Sequence, residues 1–209
     1  MYRALFSGFR QISLIVAAFF LVYGINVSLP ALAAEAIALN PAKTQPDLTK
    51  LKPGLAVTYY FGKFDHIDQL NAMIKYSKGK VGQPLPFLNY DEGEGNVLGS
   101  EYADLVGAHI TGMIKFDKAG TYTMQMLNND GVTTMIGEQV VYNNPAKQTG
   151  DNLGPEFTVA VSKPGWYPID VKYFERKGTW AIRLLWRAPG ATGSLEPVPA
   201  EAYGYTPAS

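Results

Sequence analysis

Residues 120–137 read GTYTMQMLNNDGVTTMIG, and their reading decides the fold. In the first half Tyr122, Met124 and Met126 alternate with Thr121, Thr123 and Gln125, the twofold period of a strand with one face buried. Val132 to Ile136 is a second run, of β-branched and apolar residues that suit a pleated surface. Between them Asn128-Asn129-Asp130-Gly131 concentrates residue types that tolerate positive φ, so the stretch predicts a hairpin with a tight polar tip. The tip also collects side-chain oxygens at the end of a sheet. That makes it a candidate binding site as well as a turn.

Outward from this stretch the same alternation recurs. In residues 105–117, Val106, Ala108, Ile110, Ile114 and Phe116 fall on one side and His109, Thr111, Lys115 and Asp117 on the other. Tyr167, Ile169, Val171 and Tyr173 form a second inward stripe, and Trp180, Ile182, Leu184 and Trp186 a third. Residues 54–61, 139–142 and 157–161 read as further strands, and 198–205 as a tail that packs back. Residues 65–77 are the one helical pattern beyond the N-terminus, with Ile67, Leu70 and Ile74 on one face, Asp65 as the expected cap and Gly79 as terminator. Several short strands, each with one apolar face and Gly or Pro turns between them, predict an all-β antiparallel two-sheet β-sandwich with one short helix.

The chain has 209 residues, 47% of them hydrophobic, which is enough for one substantial core. Its 18 basic and 18 acidic residues balance, so it lacks the basic footprint of a nucleic-acid binder. With no cysteine it has neither disulfides nor thiolate chemistry. No nucleophile elbow or phosphate-binding glycine loop occurs, and His66 and His109, the two histidines, lack metal-ligand spacing. The reading is therefore a non-enzyme. Residues 81–104 are acidic (Asp91, Glu92, Glu94, Glu101, Asp104) but do not match a helix–loop–helix Ca²⁺ loop, and read as a solvated loop.

At the N-terminus, Arg3 and Arg10 precede an apolar run from Ile12 to Ile25, and Ala31-Leu32-Ala33 follows Pro30. This is the order of a cleavable signal peptide over residues 1–33, with an uncleaved anchor over Ile12 to Leu29 as the rival reading. Either places the rest outside the cytoplasm, in a periplasm or fully secreted, with no membrane span after cleavage. Residues 34–50, with Pro41 and Pro46 and no sustained period, read as a linker, 51–205 as the sandwich domain and 206–209 as a tail.

Several segments, in order, resemble the β-sandwich domain named for the cleaved N-terminal fragment of anthrax protective antigen, found also in yeast flocculins, fungal adhesins and some β-glucosidases. They are GLAVTYY (54–60), HITGMIK (109–115), AGTYT (119–123), NDGV (129–132) through Ile136-Gly137, PGWYPI (164–169), VKYFE (171–175) and LLWRAP (184–189). Glycan-binding members of that family carry two adjacent aspartates joined by a cis peptide at the position of Asn129 and Asp130. These hold a Ca²⁺ that also takes sugar hydroxyls, helped by a second loop that commonly offers an Asn. By this resemblance Asp130 matches the second aspartate and Asn129 stands in place of the first, which removes one ligand charge from a Ca²⁺ site made by Asn129 and Asp130. Asn143 and Asn144, or Asp151 and Asn152, lie in a polar loop suited to the second part. The resemblance implies an exported, lectin-like module that binds a glycan or glycan-bearing partner through Asn128, Asn129, Asp130, Gly131 and that loop, Ca²⁺-assisted or metal-free. The alternative is a non-catalytic assembly module docked on another envelope or secreted protein, its tip serving only as a turn.

Overall fold

The computed structural model describes residues 35–207, so the signal-peptide reading lies outside the described residues. The strands in chain order are β1 (Ile37–Ala38), β2 (Lys52–Pro53), β3 (Ala56–Phe61), β4 (Lys80–Val81), β5 (Asn89–Gly93), β6 (Val106–Phe116), β7 (Gly120–Asn129) and β8 (Val132–Ile136). They continue with β9 (Gln139–Asn144), β10 (Asn152–Leu153), β11 (Phe157–Val161), β12 (Gly165–Glu175), β13 (Trp180–Arg187), β14 (Glu196–Pro197) and β15 (Tyr203–Tyr205). One α-helix, α1 (Ile67–Tyr76), lies between β3 and β4.

These strands form the expected two-sheet sandwich. One sheet has the order β1-β11-β7-β13-β14, with β10 on β7 and β5 on β13. The other has the order β2-β15-β6-β12-β8-β9, with β3 on β6 and β4 on β3. Pairing is antiparallel except where β1 runs parallel to β11. The inward stripes read from the sequence fill the space between the sheets. Val106, Ala108, Ile110, Ile114 and Phe116 are buried, as are Tyr122, Met124, Met126, Tyr167, Ile169, Val171 and Tyr173. The outer faces carry the alternating polar residues and stay wet.

Residues 81–104 are more than a solvated loop: β5 pairs with β13, and Leu85, Leu88, Val97 and Leu98 are buried. Three further expectations change. First, β7 and β8 do not pair as a hairpin. β7 lies in one sheet and β8 in the other, so Asn128 to Gly131 forms a corner that carries the chain across the sandwich. The alternation on each side fitted a hairpin equally well, because an inward stripe has the same period whichever sheet it faces from. The two-residue hairpin is one strand later, between β8 and β9. There Gly137 and Glu138 both adopt positive φ (57° and 62°), the conformation of a turn that follows strand twist. Second, residues 37–42, inside the stretch read as a linker, are bound to the sandwich. β1 adds to the sheet edge, Leu39 is buried, and Asn40 and Ala42 donate backbone hydrogen bonds to Gly137 and Trp166.

Third, α1 is capped by His66 and not by Asp65. The His66 Nδ1 accepts from the Asp68 N–H at 3.2 Å, and Gln69 Oε1 returns to the His66 N–H at 3.1 Å. This is the reciprocal pattern of a capping box, with an imidazole in the usual place of a hydroxyl. Ile67 and Leu70 bury the inner face of α1 against Tyr60, Phe64 and Phe174, beneath the end of the sandwich that carries the corner. Among the described residues no helix is long and apolar enough to cross a membrane.

Candidate functional site

β7 delivers its inward stripe directly into the corner. Asn128 follows Tyr122, Met124 and Met126 in phase and is fully buried. A carboxamide in that position needs partners on both ends. Its Oδ1 accepts from the Tyr142 hydroxyl at 3.1 Å, and its Nδ2 donates to the Asp130 carbonyl. Gly131 is also buried, and a side-chain carbon there would meet the Phe174 ring at 2.4 Å and the Pro145 carbonyl at 2.9 Å. Asn128 and Gly131, expected among the sugar-contacting residues, are buried here and build the corner.

The Asn129–Asp130 peptide is cis. Both residues are only 4% exposed. The Asp130 carboxylate is held by backbone on both oxygens. Oδ1 accepts from the Gln148 N–H at 2.6 Å and Oδ2 from the Arg176 N–H at 2.9 Å. Charge-assisted bonds of this kind are worth about 1.5–3 kcal/mol each. On the other side the Asn129 carbonyl accepts from the buried Tyr173 hydroxyl, and its Nδ2 donates to Thr179 O at 2.8 Å, Thr179 Oγ1 at 3.1 Å and Asp151 Oδ1 at 3.1 Å. The corner thus ties together three loops: 145–151, 176–179 and its own turn.

α1 fixes the first of these loops. The Ile67 N–H donates to the Pro145 carbonyl at 2.8 Å and the Lys147 N–H to the Asp65 carbonyl at 3.1 Å. The Asp65 carboxylate also pairs with the Arg176 guanidinium at 2.9 Å. The segment that presents the Gln148 N–H to Asp130 is thereby stitched to the start of α1.

Glu175 ends β12 on the same inward stripe as Tyr167, Ile169, Val171 and Tyr173. It is fully buried, and among the described residues neither carboxyl oxygen has a hydrogen-bond partner. Burial, reinforced by the negative charges of Asp130 and Asp104, pushes its pKa up to about 8, so at neutral pH it is a neutral acid. Burial first, then the carboxyl groups of Glu175, Asp130 and Asp151, holds the Tyr173 hydroxyl well above the ordinary tyrosine range. Walled off from solvent, Glu175 is not placed to meet a substrate.

Beside the corner, between β9 and β11, lies an open cleft of about 440 Å³ lined by Tyr142, Asn143, Asn144, Gln148, Asn152 and Phe157. Its amides hold one another in part: Thr133 Oγ1 donates to Asn143 Oδ1, Gln148 Nε2 to Asn144 Oδ1, and Asn152 Nδ2 to the Tyr142 hydroxyl. Among the described residues, these bonds leave the Asn143 Nδ2, the Gln148 Oε1 and the Asn152 Oδ1 without a hydrogen-bond partner. Phe157 packs nearly parallel to Tyr142, with centroids 6.1 Å apart, and is only partly covered. Of the residues expected in the second loop, Asn143, Asn144 and Asn152 line the cleft, while Asp151 turns to Asn129.

The groups that hold the corner but escaped sequence reasoning are Gln148, Arg176 and Thr179. Gln148 and Arg176 reach Asp130 through main-chain N–H groups, which leave no mark in a sequence. Glu175 did leave one, an acid in phase with four apolar residues.

As they stand, these side chains do not fit a Ca²⁺ ion. Such an ion takes six to eight oxygens, several of them carboxylate. Here both Asp130 oxygens already accept N–H bonds, and an amide nitrogen sits where oxygens of two loops converge. Among the described residues no three acidic or histidine side chains lie close enough to share a metal.

Comparison with known proteins places this geometry. The model of the PA14 domain matches residues 51–198, while no curated protein matches the sequence. Among solved structures, the PA14 domain of the MpAFP antifreeze protein superimposes with a TM-score of 0.63 at 19% identity, covering 79% of this chain and 98% of that one. The PA14 sugar-binding domain of an RTX adhesin gives 0.56 at 20% identity, over 73% of this chain and 98% of that one. The epithelial adhesin 9 A domain of Candida glabrata, solved with Galβ1-3GlcNAc, gives 0.55 at 13% identity, over 81% and 96%. At such identities the structural likeness establishes the fold, and with the match over residues 51–198 it shows that the chain belongs to the PA14 domain family.

Proposed function

We propose that this protein is an exported, non-catalytic carbohydrate-binding module whose ligand enters the cleft between β9 and β11. One observation carries the reading. A cleft of about 440 Å³ beside the corner is lined by the amides of Asn143, Gln148 and Asn152 together with a partly exposed Phe157 ring. One free N–H donor and two free carbonyl acceptors suit adjacent sugar hydroxyls, each of which donates and accepts. An aromatic ring offers the apolar C–H face of a pyranose a surface to cover. The sugar-binding relatives among the solved structures support the ligand class. The leader-like N-terminus and the adhesin origin of one of those relatives support an address outside the cytoplasm.

The test is a glycan screen of the protein against its Asn143→Ala, Asn152→Ala and Phe157→Ala variants. Each substitution should weaken the best hit by about tenfold, the worth of one hydrogen-bonding or stacking contact. A hit that all three variants bind as tightly as the native chain would remove the cleft from the account.

A further inference from the structure

Three oxygens from two loops converge on a single nitrogen at the corner. The Asn129 Nδ2 is 2.8 Å from Thr179 O, 3.1 Å from Thr179 Oγ1 and 3.1 Å from Asp151 Oδ1. A main-chain carbonyl and a carboxylate can only accept, so the carboxamide must turn its N–H side toward them. A carbonyl, a hydroxyl and a carboxylate arranged around one point are the mixed oxygen donors that a hard divalent cation takes. Here the point is filled by an amide tethered to the chain, and its two partly positive hydrogens supply the attraction. Asp130 is committed elsewhere, since each of its oxygens accepts a main-chain N–H. Asp151 and Thr179 are exposed, so the cluster lies at the protein surface.

We propose that the Asn129 carboxamide takes the place of a divalent cation. It draws the 145–151 and 176–179 loops together, and the end of the sandwich closes without metal. The same geometry implies that one atom's change reverses the behaviour. A carboxylate at 129 would set two negative groups, residue 129 and Asp151, against each other among neutral oxygens, and Ca²⁺ would then be required to bridge them. This inference concerns the corner and stands apart from sugar binding in the cleft. Its test reads metal and stability, so the two can fail separately.

The experiment compares the full-length protein with Asn129→Asp in chelator and in about 1 mM Ca²⁺, the working range of extracellular calcium modules. Thermal unfolding and Tb³⁺ luminescence are the readouts, with Trp180, next in the chain to Thr179, as antenna. The native protein should show the same Tm in both buffers and no sensitised Tb³⁺ emission. N129D should melt lower in chelator, regain about 5 °C on Ca²⁺ addition and sensitise Tb³⁺ emission that Ca²⁺ competes away. Calcium stabilisation or competed emission in the native protein overturns the proposal. So does an N129D variant that folds and ignores Ca²⁺. Should N129D fold in neither buffer, the Tb³⁺ titration of the native chain decides alone: competed emission overturns the proposal and silence upholds it.

Discussion

Where β7 starts and where it stops, the sandwich is closed by different chemistry. At the starting end Tyr122 meets Phe116 edge-on at 4.8 Å, Phe116 meets Tyr167 at 5.2 Å, and Trp186 covers both Phe116 and Tyr122. At the stopping end the same inward stripes finish in Asn128, on β7, and Glu175, on β12. The aromatic end rests mainly on its rings, with the Tyr122 and Tyr167 hydroxyls bonded to the backbone of Lys118 and Lys163. The polar end fixes three loops by named hydrogen bonds and keeps one buried acid with none. Stability built from rings is insensitive to pH and tolerant of small shifts. Stability built from a carboxylate on two N–H groups is directional, and it positions the cleft beside it.

The contrast is open to attack from both ends. The largest loss should come from the aromatic end: Phe116→Ala removes a fully buried ring and should cost about 4 kcal/mol in chemical denaturation, leaving sugar binding by the surviving folded protein unchanged. At the polar end Asp130→Ala strips the acceptor from the Gln148 and Arg176 N–H groups. It should cost about 3 kcal/mol and also weaken sugar binding, because the loop that presents Gln148 loosens. Equal binding in both variants, measured at matched folded fractions, would erase the distinction between the ends.

The next effect is confined to Glu175. Its folded pKa, about 8, lies above the ordinary 4.5. Between those values the unfolded chain releases a proton that the folded chain keeps. The contribution of Glu175 is therefore fully present below about pH 4.5, is lost as pH rises through 8, and is constant beyond. The loss is at most about 1.4 kcal/mol per pH unit. Glu175→Gln should flatten this part of the Tm profile, and a profile of the same slope in the variant would mean that the acid is solvated. The smallest expected change is in stability on Asn143→Ala. The residue is exposed and its loss should move stability by less than about 0.5 kcal/mol while sugar binding falls.

How much of this was legible in the chain follows from what periodicity can carry. The stripes through Phe116, Tyr173 and Leu184 are readable because burial repeats every second residue. Which sheet a stripe faces from leaves no trace in that repeat, so the sequence around Asn128 reads equally as a hairpin. The hairpin at Gly137 and Glu138 was passed over because Glu is an unusual occupant of positive φ. Residues 34–50 lacked a period because β1 is two residues long and runs along an edge. At the site, Asn129 and Asp130 were singled out from side chains. The N–H groups of Gln148 and Arg176 that hold Asp130, and the Thr179 carbonyl that holds Asn129, belong to the main chain and depend only on where loops fall. Asn128 and Glu175 were both in phase with apolar neighbours, and a polar residue in that phase is the one sequence mark the polar end carries.

The central claim is that the polar end stands on its own hydrogen bonds and serves the cleft beside it. It is tested most directly by measuring glycan binding of the native protein and Asn152→Ala, each in chelator and in Ca²⁺. The account predicts native binding of equal strength in both buffers and about tenfold weaker binding in the variant. Binding that vanishes in chelator and ignores Asn152 would contradict it.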